Sequence, residues 1–187
     1  MVRFYALAIL LVLAFTTLAQ QKATGILESR SGKVDFVSEA PLEIIKASSI
    51  ELKGLIREPD RTFAFSIPNR SFKGFNSPLQ QEHFYENYIE AAKYPVSTFE
   101  GKIIEPIDFS QNGEYNLRAK GVLDIHGVKQ ERVIKVKLSV KNQEVKAFAQ
   151  FDVLLEDHKI TIPKMVYQKL SEKITVTVSL NFQPKAD

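Results

Sequence analysis

The chain has 187 residues, a formal net charge of +3 and a pI near 9.0, with neither cysteine nor tryptophan. Without cysteine there are no disulfides, no thiol chemistry and no lipid anchor on a cysteine. Lysines alternate with acids instead of clustering, so the small positive excess reads as a solvated surface and leaves no nucleic-acid footprint.

The first segment, residues 1–19, reads as a secretory signal peptide. Arg3 is its basic start, Ala6 to Phe15 its apolar run and Thr17-Leu18-Ala19 its small-residue cleavage site. It is too short and wrongly flanked for a membrane anchor. Cleavage near Ala19 leaves Gln20 or Gln21 at the mature end and about 168 residues, the size of one domain, over 20–187. The expected product is soluble, exported and periplasmic, with no membrane span.

Strand patterns follow. Gly32 to Ser38 places Val34 and Phe36 on one face; Ile50, Leu52 and Ile56 mark another long strand; Arg61 to Asn69 groups Phe63, Phe65 and Ile67. Ser71-Phe72-Lys73-Gly74-Phe75 then leads into a helix-like insert over about 77–93. Ser77 is its N-cap, Pro78 its first-turn proline, Gln80 its capping-box partner and Pro95 its stop. Phe84, Tyr88 and Ala91 form one apolar stripe, and Tyr85, Ile89 and Ala92 a second beside it. A helix of this kind inside a β chain either covers one end of a barrel or lids a ligand entrance, and both readings stay open.

Beyond the insert, Asn112-Gly113 predicts a hairpin between Lys102–Ser110 and Glu114–Ile125, His126-Gly127 turns into Lys129–Val140, and Asn142-Gln143 turns again. Period-two alternation is clearest here. Ile134, Val136, Leu138 and Val140 oppose Lys135, Lys137, Ser139 and Lys141; Val145, Ala147, Ala149, Phe151, Val153 and Leu155 share a dry face; Ile174 to Phe182 repeats the pattern. A four-stranded antiparallel meander over about Val96 to Leu155 results, with strands of about a dozen residues, or roughly 40 Å. Some eight strands in all predict an all-β fold, an eight-stranded antiparallel barrel with one short inserted helix. A transmembrane barrel would turn its dry face outward. The lysine-rich polar faces, the mid-chain helix and the absence of a terminal aromatic favour the soluble barrel.

Candidate chemistry is sparse. His83 lies beside Glu82, Glu86 and Asn87 on the helix, but a zinc site needs three or four ligands, and His126 and His158 sit far along the chain. His83 is therefore read as anchoring the helix by hydrogen bonds, His126 as satisfying turn amides, and His158 as marking the turn after a long strand. No nucleophile elbow, phosphate loop or serine–histidine–acid set is present. The expectation is no catalytic residue, no metal and no cofactor. Apolar volume remains: thirteen phenylalanines, and small inward residues Ala119, Gly121, Ala147 and Ala149 that leave room for a ligand.

Taken together these motifs resemble the YceI-like family, exported bacterial barrels of an extended lipocalin type. The resemblance rests on Phe75 and the helix after it, Tyr94-Pro95 with Phe99-Glu100-Gly101, and Gly121 through Val128 (Gly-Val-Leu-Asp-Ile-His-Gly-Val). It also rests on Phe151-Asp152-Val153 and on Glu156 through Pro163. The helix motif Glu-His-Phe-Tyr-Glu-Asn-Tyr looks like that of a distinct branch. The resemblance implies a lipocalin-like barrel that binds a long isoprenoid lipid, such as a quinone or polyprenyl tail. Expected ligand-lining residues are Phe36, Phe63, Phe65, Phe84, Tyr88, Phe99, Leu117, Ile125, Val136, Leu138, Phe151 and Val176. The alternatives are an interaction module with a filled barrel and a metal-dependent enzyme using His83.

Overall fold

Strands with one dry face hide it by packing on another layer or by closing into a barrel. This chain closes. Residues 25–186 are described in the computed structural model; the expected signal peptide lies outside them. β1 (Ile26–Glu39), β2 (Ile44–Arg57), β3 (Thr62–Pro68), β4 (Val96–Ile103), β5 (Gly113–Ile125), β6 (Val128–Lys141), β7 (Glu144–Leu154) and β8 (Lys173–Pro184) pair in chain order. β8 returns to pair with β1, and every pairing is antiparallel. The fold is the expected eight-stranded lipocalin-like barrel, including the meander over β4–β7. Its dry face points inward: on β6, Ile134 and Leu138 are buried while Lys135 and Lys137 are exposed. A lipid-embedded barrel has the opposite arrangement.

The register between β1 and β2 slips twice, between Ser29 and Gly32 and between Gly32 and Val34. The second slip is a bulge that sets two residues of β2 against one of β1. Ala47 and Ser49 therefore point inward before it, and Leu52 and Ile56 after it. Ile50, grouped with Leu52 and Ile56 in the sequence, is thereby turned out to solvent.

Two of the three predicted tight turns form as read. His126 (φ 56) with Gly127 (φ 68), and Asn142 (φ 51) with Gln143 (φ 67), have the paired positive φ of a two-residue hairpin. Asn112-Gly113 does not make such a turn. The expected strand Lys102–Ser110 stops at Ile103, and 104–112 is a loop. Pro106 lacks the N–H that a ladder needs, and the Asp108 carboxylate accepts from both the backbone N (2.9 Å) and Oγ (2.6 Å) of Ser110, curling the chain. Gly121 also differs from its reading. It faces Gly101 across β4 and β5, and a Cβ on either would run into the other strand's backbone. Its role is close backbone approach, whereas Ala119, Ala147 and Ala149 do line the interior.

The up-and-down order puts the connections 58–61, 104–112 and 142–143 at one end of the barrel and both long ones, 69–95 and 155–172, at the other. The short-turn end is plugged. Leu27, Phe109, Val140, Val145 and Phe182 are buried in one cluster, with Val145 and Phe182 at 0% exposure. Each such side chain contributes about 1.5–3 kcal/mol through burial.

Candidate functional site

Above this plug the barrel encloses a cavity of about 460 Å³, within the range of small-molecule sites. All the side chains named above as ligand-lining face it: Phe36 on β1, Phe63 and Phe65 on β3, Phe99 on β4, Leu117 and Ile125 on β5, Val136 and Leu138 on β6, Phe151 on β7, Val176 on β8, and Phe84 and Tyr88 from the insert. Its two sides differ. Along β3 and β4 the wall is aromatic, with the Phe63 ring 5.0 Å from Phe65 and 4.9 Å from Phe99. Gly54 opposite Phe65 leaves the space that this ring occupies. From β5 to β8 the wall is mostly aliphatic and includes Ala119, Ala147 and Ala149.

The insert covers the open end, and its limits differ from those expected. α1 spans only Pro78–His83, a π-helical turn follows over Phe84–Tyr88, and Glu90 reverses the chain with φ 44, well before Pro95. Ser77 caps the start as read, its Oγ accepting from the Gln80 N–H at 3.2 Å. The Gln80 side chain reaches one residue further back than a capping box does, accepting from the Asn76 N–H at 3.1 Å. The wider π turn carries the Ile89 N–H to the Phe84 carbonyl (2.9 Å) and ends the second stripe early, so Ala92 is exposed while Ile89 and Ala91 are buried. Phe84 packs at 5.4 Å from Phe36 and 5.1 Å from Phe75, and with Phe72 these rings form the cavity's aromatic roof. Sequence reasoning did not place Phe72 or Phe75 in the lining; their signal was the Phe-Lys-Gly-Phe approach to the helix. Val166 and Leu170, which also line the cavity, come from a stretch with no strand period.

Two of the three histidines take other roles than those read. His83 is exposed at the cavity mouth and is not the anchor. Tyr85 is: its hydroxyl lies 2.5 Å from the Phe72 carbonyl and 3.0 Å from that of Arg70. His126 does not serve turn amides. Its Nδ1 is 3.0 Å from the His158 carbonyl and its Nε2 is 2.5 Å from Glu90 Oε2, which ties the end of the insert to the β5–β6 turn. His158 does follow β7, but it is 1% exposed and its Nδ1 donates to the Val128 carbonyl at 3.1 Å. Burial holds its pKa below the ordinary value, against the opposing pull of the Val128 and Ile125 carbonyls. Burial also pushes up the Tyr88 phenol in the lining. Among the described residues, no group of three or more His, Asp or Glu side chains gathers to hold a metal. Likewise, among them no helix is long and apolar enough to cross a membrane.

A β-barrel plugged at one end, apolar inside and roofed by an aromatic helical insert belongs to the lipocalin-like class. More particularly, the chain belongs to the YceI-like family, whose domain matches residues 11–182. Among solved structures, a polyisoprenoid-binding domain from Saccharophagus degradans, implicated in plant cell wall breakdown, superposes with a TM-score of 0.71. It is 14% identical, over 86% of this chain and 99% of that one. Burkholderia cenocepacia BcnA follows with 0.66 and 14% identity over 80% and 95%. The Campylobacter jejuni YCEI protein gives 0.52 and 19% over 64% and 70%. No curated protein matches the chain.

Proposed function

We propose that this protein is an exported, periplasmic, non-catalytic carrier that holds a long apolar chain, a polyisoprenoid or a quinone-like tail, inside its barrel. The observation that carries the reading is the cavity itself: blind at the Phe182 end, almost wholly apolar along its walls, and covered by rings at the other end. An apolar chain leaving water gains roughly 25 cal/mol per Å², so a few hundred Å² supports micromolar binding after the costs of association. The Saccharophagus neighbour, a polyisoprenoid-binding domain of the same fold, supports the choice of chain. The open volume weighs against the filled-barrel alternative.

Native mass spectrometry of protein purified without detergent tests the reading. A co-purified lipid, or uptake of an added polyprenyl alcohol at one per barrel, is the expected result. Repeated preparations without lipid that also refuse the added chain would overturn it.

A further inference from the structure

Three short segments meet at the mouth of the cavity: the turn 40–43 between β1 and β2, the helix α1, and the stretch 164–170. The turn holds the other two beside it. The Leu42 N–H donates to the Gln168 carbonyl at 2.8 Å, and Gln80 Nε2 donates to Glu43 Oε1 at 3.0 Å. Each segment thrusts large apolar side chains into solvent: Leu42 is 67% exposed, Leu79 59%, Met165 94% and Tyr167 48%. Leu79 also lines the cavity, as do Val166 and Leu170 beside the other exposed residues, so the apolar rim continues into the interior, with Glu43, Gln80, His83 and Lys169 at its edge. Lys164 and Lys169 flank Met165 and Tyr167, are exposed, and have no acidic partner among the described residues.

We propose that this rim docks on the surface of a bilayer containing anionic phospholipid. Isolated protruding side chains on separate segments suit insertion between headgroups. A protein partner instead selects a flat patch with a buried centre. Tyr167 has the apolar ring and polar tip that settle at a membrane interface. The two unpaired lysines meet the negative surface potential, each strengthening the attraction several-fold at low salt. Docked this way, the cavity mouth faces the bilayer and a hydrophobic chain passes between the two without crossing water. That last step rests on the proposed function; the docking itself does not.

Flotation with vesicles of phosphatidylcholine, with and without phosphatidylglycerol, tests it. The protein is expected to float with the anionic vesicles, and Leu42→Ser with Met165→Ser to weaken this by about tenfold or more. Lys164→Glu with Lys169→Glu removes the preference for anionic vesicles, while Ile50→Ser, an exposed position on the barrel's outer wall, changes nothing. Ala149→Trp, which sets a large ring in the cavity, floats like the parent, so docking and cavity occupancy are read separately. The proposal is overturned if the parent does not float or if the rim variant floats equally well. It also falls if only the cavity variant loses binding, or if the rim variant instead converts a dimer to a monomer.

Discussion

His158 shows how one buried side chain sets a pH dependence. It is enclosed between the β7–β8 connection and the start of β6, donating to the Val128 carbonyl. Burial lowers its pKa from 6.5, with Asp157 pulling it back up and Arg132 adding to the depression. In the unfolded chain the ring takes a proton near pH 6.5; in the folded chain it resists until lower pH. The unfolded state thus binds more protons in that window, and stability falls as pH drops below about 6.5, by up to about 1.4 kcal/mol per pH unit. Urea midpoints at about pH 7.5 and about pH 5.5 are expected to differ more for the parent than for His158→Asn, whose amide keeps a donor toward Val128. Equal differences would show that His158 is not the titrating group.

At the scale of elements, the insert is held at a few points. Gly74, with φ 92, lets the chain enter it, and Glu90, with φ 44, turns the chain out. Between them Tyr85 bonds the backbone of the preceding linker, and Glu90 itself meets His126. Tyr85→Phe removes the hydroxyl and is expected to cost about 1–2 kcal/mol, felt locally. Amides of residues 80–91 then exchange about 5–30 times faster by hydrogen–deuterium exchange while barrel amides keep their rates. A uniform change across the barrel would refute the local anchor. The same contacts explain what was legible in the sequence and what was not. Alternation along β5–β8 reports directly on which face is wet, so the barrel strands, and inward positions on them such as Leu117, Val136 and Phe151, could be read residue by residue. The start of the insert was equally plain, because a cap is a local bond. Its end was not, since the π turn depends on partners such as Ile125 and His126, the latter 36 residues from Glu90. Phe72 and Phe75 were missed as lining because no period marks an irregular linker.

At the scale of the whole molecule, the plugged end and the cavity divide the labour between stability and binding. Phe182 forms the floor of the open volume, while Leu27, Phe109, Val140 and Val145 of the same cluster lie behind it and do not line it. Ala149→Trp is expected to abolish uptake of a polyprenyl chain, by at least about tenfold, while shifting Tm by no more than about 2–4 °C. The new residue would be the chain's only tryptophan, so its fluorescence would report whether the ring is dry. Unfolding of the variant, or undiminished uptake, would contradict this division. The closure of the barrel has one more consequence. Its seam joins β1 to β8, the first and last of the described strands. During folding β1 can meet β2 early, yet its other edge has no partner until β8 arrives. An unpaired strand edge invites pairing with other chains. The interval before β8 closes the seam, wherever the chain folds, is when this architecture is most open to pairing with other chains.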